Sequence, residues 1–239
     1  MVRQLDDVVA ALADLVLPSA CAGCGARGQP VVCADCAEAL ADAQPYRTRP
    51  TPAPPGFPPC VAFGVYDGVL RELLLAYKER GRHDAARPLG AMLADVVAGA
   101  LGHRRPVLLV PVPATARAAR QRYGDHVYRL ARIAARTLRA QGWPAQPVGV
   151  LQAMPRPDSA DLDSAARLEV AAGSFRVRAQ RLPVLRRAIA AGAAVVLVDD
   201  IVTTGATLAA IATRLGDTGF PVTHAAVIAS TRRRHTVAE

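Results

Sequence analysis

Residues 195–208, VVLVDDIVTTGATL, constrain this chain more than any other stretch. The apolar run that opens it has no polar face, as in a strand buried on both sides within a parallel sheet. It stops at two adjacent acids, Asp199 and Asp200. The turn Thr203-Thr204-Gly205-Ala206-Thr207 then leads into a helical pattern. In an open α/β sheet, ligands sit beyond the carboxyl ends of the strands. Two neighbouring carboxylates there are costly without partners, and ribose hydroxyls or a divalent cation are suitable ones. The turn adds helix-terminal N–H groups and three hydroxyls, which together suit a phosphate dianion, and Gly205 lets the backbone come close to it. A plain helix cap would account for one polar residue, not for twin acids followed by three threonines. A Walker A loop is excluded: no G-x4-G-K-[ST] occurs, and the sole lysine, Lys78, lies elsewhere.

The rest of the chain alternates strand and helix patterns around this segment. An amphipathic helix is expected over 3–16, with Leu5, Val8, Val9, Leu12 and Val16 on one face and Pro18 ending it. Strands are expected over 60–66, 106–112, 147–152, 193–198 and 221–229. Helices are expected over 70–80, 85–101, 123–141, 164–172 and 204–218. This order implies an α/β domain with a mostly parallel sheet. Between them, TRPTPAPPGFPP at 48–59 is too rich in proline for a helix or a central strand and reads as a stiff linker. The expected organisation is an N-terminal helix and metal module (1–47), the linker (48–59), the α/β domain (60–232) and a basic tail (233–239).

Cys21, Cys24, Cys33 and Cys36 form C-x2-C-x8-C-x2-C. Each CxxC pair can turn both sulfurs toward one ion, and four thiolates suit tetrahedral zinc; Gly23 and Gly25 supply a permissive backbone. With no position left for substrate, such a zinc is structural, and the module is expected to be zinc-ribbon-like. The competing readings are a redox disulfide pair or four unrelated core cysteines. Cys60 is expected as a small buried residue at the start of a strand.

The net charge is +9, almost all of it arginine. A basic surface attracts phosphates and nucleic acid, while an Arg-favouring composition with ordinary solubility explains the same charge. Arg129, Arg132, Arg136 and Arg139 recur at helical spacing. They fit a stripe that tracks a nucleic-acid backbone, or the solvated face of an amphipathic helix. Few aromatics are present to stack on bases. No apolar run reaches the ~18–20 residues of a membrane span. Asp6, Asp7 and Asp14 stand where a signal peptide would be apolar, so a cytoplasmic protein without membrane insertion is expected.

The segment 195–208 resembles the PRPP-binding motif of type I phosphoribosyltransferases. With the four-cysteine module, residues 18–230 resemble the ComF family of competence-associated, phosphoribosyltransferase-like proteins. Three further segments carry the resemblance: Tyr66-Asp67-Gly68 with Leu70-Arg71 and Tyr77-Lys78; Val110-Pro111-Val112-Pro113, similar to a pyrophosphate loop; and, less closely, Arg122-Tyr123-Gly124-Asp125-His126. The chain departs from the family at Arg156, Ser159 and Val170, where Thr, Gln and Asn are common, while Arg167 is kept.

The resemblance implies a type I phosphoribosyltransferase fold. It implies ribose hydroxyls on Asp199 and Asp200, the 5′-phosphate on Thr203, Thr204, Gly205, Ala206 and Thr207, and Mg²⁺ bound with PRPP. Lys78 is a further phosphate-contact candidate, or else an ordinary surface lysine. Arg117, Arg120 and Arg122 follow the pyrophosphate loop, and they either reach the leaving group or are simply exposed. Two functions stand side by side. One is phosphoribosyl transfer to an acceptor the sequence does not identify, with no catalytic base in evidence. The other is an accessory role in DNA uptake and natural transformation, with single-stranded DNA and a competence helicase as partners. An amidophosphoribosyltransferase is disfavoured, because no room exists for a glutaminase domain.

Overall fold

The structure is a computed structural model that describes residues 20–114, 119–120, 124–154 and 173–231. The expected helices over 3–16 and 164–172, the basic tail, Arg117, Arg122, Arg156, Ser159, Arg167 and Val170 lie outside the described residues.

In chain order the elements are α1 (Ala34–Ala41), β1 (Tyr46–Thr48), β2 (Cys60–Val65), α2 (Gly68–Glu79), α3 (Ala86–Leu101), β3 (Val107–Pro111), α4 (His126–Ala140), β4 (Ala145–Pro147), β5 (Leu151–Ala153), β6 (Phe175–Val177), α5 (Leu182–Ala190), β7 (Ala194–Val202), α6 (Ala206–Asp217) and β8 (His224–Ser230). Six strands form one sheet in the order β1-β2-β8-β7-β3-β4. Its pairs are parallel except for β1, which runs antiparallel to β2 on the edge. β5 and β6 form a separate antiparallel pair. The α/β class with a mostly parallel sheet is as the sequence implied.

Apolar residues on both sides of the central strands hold this arrangement. On one face, α3 and α4 place Leu89, Leu93, Leu130 and Leu138 against Leu109, Val196 and Val198. On the other, α5 and α6 place Leu185, Leu208, Ile211 and Leu215 against Leu108, Val195 and Leu197. Alternate residues of each strand thus feed opposite cores. Helices α3 and α4 approach closely because residue 90 is glycine: a Cβ there would lie 2.5 Å from Ile133 Cγ2.

Three local differences from the expected elements have physical causes. β7 does not stop at Val198 but continues through both acids to Val202, because β8 extends far enough to pair with it, up to Val202↔Ser230. The strand expected over 147–152 is two short ones: β4 pairs with β3, and β5 turns away to pair with β6. Helix α5 went unread because only Leu185 is buried in it and its alanine-rich end merges with the apolar run before β7. The proline-rich stretch lies along α6. A Cβ at Gly56 would meet Thr213 Oγ1 at 2.5 Å, and Phe57 joins the core on the α6 side. Among the described residues, no helix is long and apolar enough to cross a membrane.

Candidate functional site

The chain leaves β3 and β7 in opposite directions. α4 follows β3 onto one face of the sheet, and α6 follows β7 onto the other. Adjacent parallel strands whose connections diverge leave a crevice at their carboxyl ends, the usual ligand position in such sheets. The two segments expected to act together are neighbours there. Val110 pairs with Leu197 and Pro111 with Val198, and the Val112 N–H donates to the Val198 carbonyl at 2.9 Å. Beyond that bond β7 overhangs β3, and the overhang carries Asp199 and Asp200.

As successive strand residues, the two acids point to opposite faces and meet different surroundings. Asp200 is 5% exposed. Its Oδ2 accepts from Lys78 Nζ at 2.9 Å and from His126 Nε2 at 2.8 Å. Burial works against its charge, but His126 and Lys78 outweigh this and hold the carboxyl below the usual range. Asp199 is partly buried on the other side, and its Oδ1 accepts the Asp200 N–H at 2.9 Å. Burial, and then the Asp200 charge, push its carboxyl well above the usual range. The same burial, with the Asp199 charge added, pushes the Cys60 thiol up to about 12. Cys60 is buried at the start of β2, as expected.

The Asp200 cluster is braced from behind. Asp125 caps α4 by accepting the Tyr128 N–H at 3.0 Å, which places His126 at the first turn. The Tyr77 hydroxyl donates to the His126 carbonyl at 2.8 Å, and Tyr77 precedes Lys78 on α2. Lys78 is therefore not an ordinary surface lysine: one donor of its ammonium is held on Asp200. His126 is the residue the sequence reading passed over. Its signals were its place after Gly124-Asp125 at the start of an amphipathic helix and in the segment 122–126 that carries part of the family resemblance.

The turn after β7 combines exposed and covered groups. Thr203 is exposed and Thr204 partly so, while Gly205 is buried with φ +76°. A Cβ on Gly205 would sit 2.7 Å from the Phe57 ring and 2.9 Å from Pro50. Glycine is thus required both by the left-handed backbone and by the proline-rich stretch packed over it. Ala206 and Thr207 begin α6, and the Ala206 N–H reaches Thr204 Oγ1 at 3.5 Å.

A cleft of about 670 Å³ adjoins the β3 loop, between Pro111 and Pro113 on one side and Arg178 and Arg181 beyond β6 on the other. Arg120 is exposed. In the α4 arginine stripe, Arg132 and Arg136 are exposed, Arg139 donates to the Ala145 carbonyl at 2.7 Å, and Arg129 contacts His83 Nδ1 at 3.0 Å. Two members of the stripe thus face solvent and two are tied locally.

The four cysteines of the N-terminal module come together, their sulfurs all within 4.8 Å of one another. Cys24 Sγ and Cys33 Sγ are 3.7 Å apart. That is close to the ~3.8 Å edge of a tetrahedron with metal–sulfur bonds near ~2.3 Å. Backbone N–H groups of Cys33 and Gly23 point at Cys21 Sγ, at 3.3 and 3.4 Å. Burial opposes the Cys21 thiolate, but these donors with that of Cys24 bring its pKa down to about 6. The cluster could hold a metal ion such as zinc. The sequence matches no protein-family model and no curated protein.

Proposed function

We propose that this protein binds a phosphoribosyl compound, PRPP or a close relative, at the carboxyl ends of β3 and β7. One observation carries the reading. Twin acids and a hydroxyl-rich turn leading into a helix stand at the point where neighbouring parallel strands send their helices to opposite faces. The 5′-phosphate takes the turn Thr203–Thr207, where hydroxyls and the start of α6 favour an anion. The ribose hydroxyls face Asp199, whose charge has no ion-pair partner among the described residues. Hydroxyl donors or a cation there relieve what burial and Asp200 impose on it.

Asp200 has a different role from its neighbour. Locked by Lys78 and His126, it fixes the end of β7 and keeps positive charge near the anion. A divalent cation accompanying the pyrophosphate would be held from the protein side by Asp199, and it would neutralise the leaving group. In phosphoribosyl transfer, an acceptor lone pair forms a bond to the anomeric carbon as the bond to pyrophosphate breaks, and pyrophosphate departs with that electron pair. The protein's part is to position the reactants and stabilise charge. The cleft beside Pro111 and Pro113 is the space left for an acceptor. In the N-terminal module, zinc on Cys21, Cys24, Cys33 and Cys36 is structural.

Titration calorimetry of PRPP with Mg²⁺ tests the site. Wild type is expected to bind, and Asp199→Ala is expected to bind more weakly. Equal affinity in the two would remove the assignment.

A further inference from the structure

At the opposite edge of the sheet, where β2 and β8 begin, lies a cavity of about 620 Å³. That volume suits a small organic ligand. Its lining holds Arg47, Arg49 and His224 and no acidic residue. Arg47 sits on β1 and Arg49 follows it, and neither has an ion-pair partner among the described residues. His224 opens β8, and its Nδ1 is buried with no hydrogen-bond partner among the described residues; the same holds for Arg105 Nε. Burial, then the charges of Arg47 and Arg105, push the His224 imidazole below its usual pKa. The positive charge lining the cavity is therefore that of Arg47 and Arg49, with no acid among its walls.

The remaining walls are of two kinds. Phe57, Pro58 and Pro59 give a flat apolar side, and Gly99 and Ala100 bring in the carbonyl end of α3. Helix-end carbonyls accept hydrogen bonds from a ligand, and they repel an anion. One ligand that meets all three surfaces has a phosphate at one end, a planar body, and N–H or O–H donors at the other. We infer that this cavity is a second ligand site, taking a phosphate monoester on a nucleoside-sized body with its phosphate on Arg47 and Arg49. The cavity opens at the amino ends of β2 and β8, whereas the proposed phosphoribosyl site lies at the carboxyl ends of β3 and β7; Phe57 is shared, lining the cavity and packing on Gly205.

Adenosine monophosphate, adenosine, inorganic phosphate and two oligothymidylates, one 5′-phosphorylated and one not, serve as probes in titration calorimetry and competition. AMP is expected to bind, and to bind more tightly than either adenosine or phosphate. Arg47→Gln with Arg49→Gln is expected to weaken it on the order of tenfold or more. Arg49→Glu alone, outside β1, provides the same readout if the double variant folds poorly. Asp199→Ala is expected to retain AMP binding. Competition by the 5′-phosphorylated oligomer but not the other places a nucleic-acid end among the sources of the monoester; competition by neither limits the source to free nucleotides. Equal competition by both oligomers would overturn the monoester reading. Absent AMP binding, AMP binding insensitive to both arginine changes, or binding lost in Asp199→Ala would overturn the site.

Discussion

Lys78 Nζ and Asp200 Oδ2 lie 2.9 Å apart, and the ammonium and carboxylate are both largely withdrawn from water. A buried pair of this kind adds little compared with an apolar replacement, but it punishes the loss of one partner. Lys78→Met leaves Asp200 with His126 as a partner, and is therefore expected to cost about 1.5–3 kcal/mol, the range for one hydrogen bond to a charged group. In an Asp200→Asn background the same change should cost much less. A double-mutant cycle by chemical denaturation measures the coupling.

The two acids should respond to pH in opposite senses. Asp200 has a lowered folded pKa, so its stabilisation is present above its ordinary value of 3.8 and is lost as acid protonates it below that. Asp199 has a raised folded pKa, so its unfavourable contribution is absent in acid and grows as pH rises above 3.8, levelling off once the folded-state group ionises. At neutral pH, Asp199→Asn should accordingly raise the melting temperature and Asp200→Asn should lower it. Melting curves between acid and neutral pH check both. The Asp199→Asn advantage should shrink toward pH 4.

Gly205→Ala should destabilise the fold by about 1–3 kcal/mol, the cost of overpacking, with a left-handed backbone strained in addition. Replacing Phe57 with Leu in the same chain should recover part of that loss, because the ring edge is the nearest obstacle. The recovery is expected to be incomplete, since φ +76° remains. Denaturant midpoints of the two variants decide it.

Protein purified without chelator should carry stoichiometric zinc. Cys24 is the exposed member of the four, so Cys24→Ser removes a ligand with little disturbance of packing. Zinc content measured by elemental analysis should fall in that variant. Hydrogen exchange should speed up around residues 20–42, because metal binding in such modules is itself folding free energy.

Much of this was legible in the order of residues, and the losses are specific. The β7 run announced a central parallel strand because it has no polar face, and the cysteine spacing announced a cluster. The end of β7 was misjudged because nothing local tells how far a neighbouring strand will reach: β8 carries the pairing to Val202. The ammonium of Lys78 looked free because its partner lies 122 positions away in sequence. His126 was hidden for the same reason, since its partner Asp200 is 74 positions on. Adjacent acids look alike in one dimension, and only the alternation of strand faces separates a neutralised one from one under strain.

The proline-rich stretch has a consequence for how the molecule can be divided. Because Gly56 and Phe57 rest on α6 and on the turn before it, cutting ahead of residue 60 would take away part of what the α/β body packs against. It would strip an edge strand from β2 and uncover the alanine side of α6. Sequence drift in this stretch and in α6 is thereby yoked: a bulkier residue at 205, 209 or 213 survives only where the prolines and Phe57 retreat.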